Sequence, residues 1–486
     1  MAKKNKKKFS MTAFTIIFLI IIAIAIVSHI LPSAQFDGEN IVNGTGVVGA
    51  KFSDFLLSPI LGFEDAADVS IFILVLGGFL AIIAKSGALE TGIKVLVNKL
   101  KGKELVLIPI LMFIFSIGGT TYGMLEETVA FYGLLSFTMV AAGMDTIVAS
   151  ATILLGAGVG VLGSTINPFA VGAAVSALPE GITVNQGTII LLGCILWLVS
   201  YIIAVAIVLN YAAKVKADKG STFLSLQEQK QMEKHYAKED FVNKDAKLTT
   251  RQKIILILFA LTFVVMIIGF IPWVDFGVIS ADVADAGTHW SAFLTGNCFG
   301  YWYFEDAAAW FFIMAIIIGI VGKFKEKDFV DTFLDGAADI LSVVLIIAVA
   351  RGASVLMKTT YLDNYIIYNA ADALKNMPAV LYAPLNFILH IFLSILVPSS
   401  SGIATLSTPI MGPLTQQLGF SVETNVMILV AANGLVNLIT PTCGAIMGGL
   451  ALARVEYSTW FKWAFKIVAL IGLAAMVVLT IAMCVL

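Results

Sequence analysis

Long apolar runs, separated by short clusters of glycine, proline and charge, follow one another along almost the whole chain. The first runs from about Phe14 to Leu31, behind Lys3, Lys4, Lys6, Lys7 and Lys8. It is long enough to span a bilayer and lacks a convincing small-x-small cleavage site, so it reads as a retained helix with a cytoplasmic N-terminus. Residues 32 to 67 are polar and Gly-rich and read as an outside segment, and a second helix from Asp68 to Ala84 returns inward. Leu89 to Lys103 mixes Lys94, Lys99, Lys101 and Lys103 with apolar positions, the pattern of an amphipathic helix on the cytoplasmic surface.

Two apolar arms then flank Gly118-Gly119-Thr120-Thr121-Tyr122-Gly123-Met124-Leu125-Glu126-Glu127-Thr128. Each arm is short for an independent span, so about 104–142 reads as a re-entrant hairpin entering from the cytoplasm. The next crossing, about 146–178, contains Asn167-Pro168, and proline removes a backbone donor and disfavours helix just before it, so this helix is expected to break. The lysine-rich stretch 214–253 reads as a cytoplasmic loop, and 254–275 as a linking helix. In residues 276–486 the order recurs: two helices, a surface helix over Tyr361–Lys375, a hairpin at about 379–418 with the tip Pro398-Ser399-Ser400-Ser401-Gly402, a crossing at about 422–452 broken at Thr440-Pro441, and a last span ending outside.

Residues 1–213 and 276–486 are thus expected to be two copies of one unit. Ala66-Ala67-Asp68-Val69 resembles Ala337-Ala338-Asp339-Ile340, and Gly123 and Gly133 match Gly402 and Gly412 in spacing. Lysine placement gives the copies opposite orientations, so the fold class expected is an all-α polytopic membrane protein with an inverted repeat, two re-entrant hairpins and two broken helices.

Composition agrees. The chain of 486 residues is 59% hydrophobic and only 13% charged, whereas a soluble domain is nearer half apolar and a quarter charged. Its four cysteines and four histidines are scattered, which gives no support to a disulfide framework, a metal site or Ser-His-Asp chemistry. Gly158-Val159-Gly160-Val161-Leu162-Gly163 matches the dinucleotide fingerprint but lies in a membrane helix with no preceding strand, so close helix packing explains its glycines. The basic 214–253 segment is a solvated loop and not a nucleic-acid surface.

Ionisable and hydroxylated residues at membrane depth are costly unless they line a cavity or bind something. Glu126 and Glu127 are therefore the leading candidates, to attract a guanidinium or ammonium group. Neighbours on a helix point about 100° apart, so one of the two is expected to face the site. Arg351, in Val349-Ala350-Arg351-Gly352, either pairs with these acids or grips a substrate carboxylate in bidentate fashion. Thr120, Thr121, Ser399, Ser400 and Ser401 are candidate substrate or ion ligands at the two tips. Asn167, Asn433, Asn437, Thr440 and Thr442 are expected to line the breaks, and Asp145 to cap the helix after the first hairpin.

Gly118–Met124 leading into Glu126-Glu127-Thr128-Val129-Ala130-Phe131-Tyr132, with Asn167-Pro168-Phe169 and Ser399-Ser400-Ser401-Gly402, resembles the C4-dicarboxylate anaerobic carrier family of the ion transporter superfamily. The resemblance spans most of the chain and is strongest to a branch of arginine/ornithine-type basic amino acid antiporters. It implies an elevator transporter, in which hairpins and broken helices slide against a scaffold that forms a homodimer in the cytoplasmic membrane of a bacterium. Sodium-coupled relatives carry Ser-Asn-Thr-type tips for carboxylate and sodium, where this chain has Gly-Gly-Thr-Thr in its first tip. The expected function is secondary transport of a small charged solute, with basic amino acid exchange first. A sodium- or proton-coupled carrier of carboxylates or peptides is the alternative, and a channel comes behind both. No protease, hydrolase or nucleotide motif supports an enzyme, and no cofactor is expected beyond Na+ or H+ coupling.

Overall fold

The structure, a computed structural model, describes residues 13–38, 40–99, 103–236, 247–271, 273–274 and 277–486. The N-terminal lysines, Lys101 and positions 237–246 of the lysine-rich connector lie outside the described residues, as do 272, 275 and 276 after the linking helix. Among the described residues the regular structure is helical apart from one two-stranded ribbon, Phe36–Asp37 with Asn40–Ile41. Among the described residues eight helices are long and apolar enough to cross a membrane.

In chain order the first half comprises α1 (Ala13–Ile30), α2 (Phe52–Asp65), α3 (Ala67–Lys85), α4 (Ala88–Lys99), α5 (Leu107–Tyr122), α6 (Tyr132–Ala141), α7 (Thr146–Leu162), the short α8 (Ala173–Ser176) and α9 (Gln186–Ala217). The connector holds α10 (Leu226–Tyr236), and α11 (Thr250–Phe270) links onward to α12 (Ala281–Asp285). The second half has α13 (Phe304–Gly322), α14 (Glu326–Thr359), α15 (Leu362–Leu374), α16 (Ala379–Leu396), α17 (Ser400–Gln417), α18 (Val422–Val436), α19 (Gly444–Leu452) and α20 (Tyr457–Val485).

Two helices packed side by side need small residues wherever their backbones approach, and the glycines sort these helices into two bundles. In the first, a Cβ on Gly119 would lie 2.1 Å from the Ala157 carbonyl oxygen, and one on Gly160 2.2 Å from that of Ser116, which presses α5 onto α7. Gly434 likewise meets the Leu162 backbone at 2.5 Å, joining α18 to α7. This bundle contains α5 to α9 and α16 to α20. In the second, Gly62 meets Gly352, and Gly77 meets Gly336, so α2 and α3 lie flush along α14. With α1, α11 and α13 they form a second packed body, which meets the first chiefly where α14 lies against α19. The glycines of the fingerprint-like run are explained in the same way: Gly158 faces Leu438, Gly160 faces α5 and Gly163 faces Trp197.

Three expectations change in detail. Phe52–Asp65, read from its polar surroundings as part of an outside segment, is helical. With α3 it makes one interrupted helix as long as α14, because its small residues Ser58 and Gly62 face α14. The Gly-Gly-Thr-Thr run is not a loop but the last turns of α5, since packing against α7 offsets the poor helix propensity of glycine there. The second tip is also shorter than expected, because Ser400 to Gly402 already form the first turn of α17.

Side-chain hydrogen bonds gather the helix ends on two opposite faces. On one, Lys216 at the end of α9 pairs with Glu104 just before α5, and Asp145 before α7 accepts from Tyr211 and Thr222 at 2.6 Å each. Glu228 of α10 accepts from the backbone N–H of Glu456 and the hydroxyl of Thr459, at the start of α20. On the other face Asn43 bonds Tyr368 and Asn364 of α15, while Asn185 before α9 donates its N–H to Glu423 of α18. Asp145 indeed caps α7, accepting from the Val148 N–H at 2.9 Å.

Candidate functional site

α5 stops because Gly123 takes a left-handed conformation (φ +81°), and the N–H groups of Gly123 and Met124 return to the carbonyls of Gly119 and Gly118. That is the αL type of helix ending, which satisfies carbonyls that would otherwise be orphaned. A turn of 3-10 helix, Glu126–Phe131, then leads into α6. Glu127, 2% exposed, folds back so that its carboxylate accepts the Leu125 N–H at 3.1 Å, while the Thr128 hydroxyl donates to the Leu125 carbonyl at 2.5 Å. Glu126 is half-buried, and the nearby charges acting on it are Arg351 and Asp68.

The second tip is held from outside itself. Asn433 and Asn437, one turn apart at the end of α18, both donate to the Pro398 carbonyl, at 3.3 and 3.2 Å. The Asn433 side-chain oxygen also accepts from the Ser400 hydroxyl at 2.7 Å and from the Asn437 amide at 3.1 Å. Thr442, beyond the break, donates to the Ile395 carbonyl and bonds Thr440. Ser399 caps α17 by accepting the Gly402 N–H, so the positive end of an 18-residue helix dipole is presented at Ser399–Ser401.

The break after α7 is tied to the first hairpin in the opposite sense. Thr120 donates to the Gly163 carbonyl at 2.6 Å, and its own carbonyl accepts from the N–H and hydroxyl of Thr165. Asn167 caps the segment after the break, accepting from the Phe169 N–H and donating to Ser164. A Cβ on Gly123 would stand 2.8 Å from the Asn167 amide nitrogen, so this glycine also makes room for the break.

Between these tips and breaks lies a cavity of about 100 Å³. One wall comes from the first bundle: Gly123, Glu126, Glu127, Asn167, Ser399, Ser400, Ser401, Asn437 and Thr442. The other comes from the second bundle: Val69 of α3, Tyr303 and Phe304 at the start of α13, and Ile347, Ala350 and Arg351 of α14. Polar volume at membrane depth is tolerated where it lines such a cavity. Two polar atoms on its walls make no hydrogen bond within the protein, the Asn437 side-chain oxygen and the Tyr122 hydroxyl, although these residues are only 4% and 1% exposed.

Nine of the thirteen residues expected at the site thus converge on one cavity. Thr120, Thr121, Asn433 and Thr440 are not among its lining residues. Thr120 spends its hydroxyl on Gly163, Thr121 donates to the Ile117 carbonyl one turn back, and Asn433 and Thr440 hold their neighbours in place. Both acids reach the cavity, although neighbours in a helical turn point about 100–120° apart, because Glu127 curls back onto the Leu125 N–H. Arg351 makes its ion pair with Asp65 of α2 at 3.7 Å. Sequence reasoning missed Tyr122, Phe169, Tyr303 and Cys443. The first two lay inside quoted motifs, whereas nothing in sequence marks Tyr303 or Cys443.

Known proteins are similar to this chain over most of its length. The family model described as the C4-dicarboxylate anaerobic carrier matches residues 11–484. An uncharacterized protein of Haemophilus influenzae is 29% identical, with 99% of this chain and 98% of that protein covered. The "Putative basic amino acid antiporter YfcC" of Escherichia coli is 26% identical over 86% of this chain and 77% of that protein. Among solved structures, the YdaH transporter of Alcanivorax borkumensis aligns with a TM-score of 0.47 at 15% identity over 97% of this chain and 98% of that one. MtrF of Neisseria gonorrhoeae, from a class of antimetabolite efflux pumps, aligns with 0.44 at 15% identity over 99% and 96%. With eight candidate spans among the described residues and a family match over residues 11–484, this multi-pass membrane protein belongs to the C4-dicarboxylate anaerobic carrier family of transporters.

Proposed function

We propose that the chain exchanges basic amino acids of the arginine/ornithine type across the membrane by an elevator movement. The observation that carries this reading is the polarity of the cavity: two carboxylates, Glu126 and Glu127, on one tip, and the amino end of α17 at Ser399–Ser401 on the other. A basic amino acid has a cationic side chain for the acids and an α-carboxylate for a helix N-terminus. The free Asn437 oxygen suits its α-ammonium group, and the Tyr122 hydroxyl can donate or accept. The name of the Escherichia coli relative points the same way.

The family description suggests a C4-dicarboxylate, the main alternative. A dianion would have to sit beside Glu126 and Glu127 in a medium where like charges repel strongly, so these acids count against it unless Na+ or H+ neutralises them. Coupling to either ion belongs with that alternative, and a channel reading is disfavoured by tips tied shut through Asn433 and Thr120.

For the movement, the two bundles supply the parts. The first, with both hairpins and both broken helices, is proposed to slide against the second as transport domain against scaffold, the scaffold forming the homodimer contact. Support comes from the cavity lying between the bundles, and from the helix ends: the first hairpin opens on the face of Lys216 and Asp145, the second on the face of Asn185 and Glu423. Opposed hairpins of this kind are what an inverted repeat with re-entrant segments produces.

A panel of candidate solutes in a thermal-shift assay tests the substrate class. A ligand at a hundred times its Kd stabilises the folded protein by about 2.7 kcal/mol. Arginine and ornithine are expected to stabilise, and succinate, fumarate and neutral amino acids are not. Stabilisation by dicarboxylates alone would overturn the reading.

A further inference from the structure

Arg351 and Glu126 face the same cavity from opposite bundles. Arg351 stands on α14, which packs along α2 and α3, whereas Glu126 belongs to the first hairpin, in a turn that packs on α19 and α7 of its own bundle and touches α3 of the other. In this structure the guanidinium of Arg351 is on an acidic neighbour within its own bundle, Asp65 of α2 at 3.7 Å, and Glu126 stands on the other wall of the same cavity. A guanidinium between an acid that stays with it and an acid that can leave has two resting places.

We propose that Arg351 is an electrostatic latch between the two bundles, closed on Glu126 when the cavity is empty and withdrawn to Asp65 when a cationic substrate neutralises Glu126. Sliding the bundles past one another separates Arg351 from Glu126. In a poorly screened site, parting opposite charges is unfavourable, so the empty carrier is held. A bound cation takes over the carboxylate, and Asp65 spares Arg351 from standing unpaired at membrane depth. The device makes movement conditional on a load, which is the requirement for strict exchange as opposed to leak. It also assigns Arg351 to gating, and leaves the substrate carboxylate to the amino end of α17.

The latch rests on the exchange reading above for the identity of the load, so its test uses a readout that needs no substrate. Cys443 lines the cavity on the first bundle and is a free thiol. In the full-length chain with Cys194, Cys298 and Cys484 replaced by serine, Cys443 labelling by a membrane-impermeant maleimide would be followed in vesicles of both orientations. Without substrate, the Arg351 protein is expected to label from one face only. Arg351→Gln and, independently, Glu126→Gln are expected to raise labelling from the second face at least tenfold. The double variant should go no further, and Arg351→Lys should stay latched. Asp65→Asn should remain one-sided when empty and respond less to added arginine. Labelling of Arg351→Gln and Glu126→Gln from one face only, or of the unsubstituted empty carrier equally from both, would overturn the latch. If both variants unlock but added arginine fails to open the second face of the Arg351 protein, the latch stands and the substrate assignment falls.

Discussion

Gly123→Ala probes the joint between the first tip and the first break. At φ +81° an L side chain sits in the left-handed region, which costs about 1–2 kcal/mol. Its Cβ would also lie 2.8 Å from the Asn167 amide nitrogen and 3.0 Å from the amide oxygen. Asn167 cannot swing aside freely, because it donates to Ser164 and accepts from the Phe169 N–H, and losing either buried bond costs roughly 1 kcal/mol. The sum is about 2–4 kcal/mol. Gly133→Ala is the control: a Cβ there meets nothing within 4 Å, and alanine in that first turn of α6 is expected to be neutral or stabilising by up to about 1 kcal/mol. Thermal unfolding of the two purified variants in detergent reads the difference directly. If Gly123→Ala unfolds within about 0.5 kcal/mol of Gly133→Ala, by the two-state convention that relates the shifts, the account of the tip is wrong.

Other outcomes follow from the same geometry. Asn433→Ala removes the acceptor of Ser400 and Asn437 and one donor to Pro398, so it should destabilise by about 2–4 kcal/mol and depress transport without direct contact to a solute; normal melting and normal flux together would contradict this. Gly352→Ala drives a Cβ to 2.7 Å from the Ser58 carbonyl oxygen and should cost about 1–3 kcal/mol by overpacking α14 against α2, as unfolding would show. Glu228→Ala unties α10 from the start of α20, so amide hydrogen exchange over residues 226–236 should accelerate at least tenfold, and unchanged protection would refute the tie.

Where a single residue type carries a strong physical constraint, the chain was readable. Pro168 and Pro441 announce the helix breaks, Asp145 its cap, and adjacent acids in an apolar run the cavity that Glu126 and Glu127 share. What stayed hidden depends on partners distant in sequence. Thr120 looked like a ligand because a threonine near a tip is a free hydroxyl until Gly163 is known to face it. The helicity of Phe52–Asp65 was masked by its polar surroundings, and only α14 shows which face it buries. Arg351 could be paired with either set of acids until Asp65 was placed beside it. Tyr303 reaches the cavity from the loop before α13, a position no periodicity marks.

The central claim, that Glu126 and Glu127 receive the positive end of a basic amino acid under exchange, is tested most directly by counterflow. Purified protein in proteoliposomes loaded with ornithine is predicted to take up labelled arginine, with at least tenfold less uptake into empty vesicles. Glu126→Gln and Glu127→Gln should each abolish the exchange while the protein remains folded and monodisperse. Normal arginine–ornithine counterflow in both variants, or none with any cationic amino acid in the unsubstituted protein, would contradict the account.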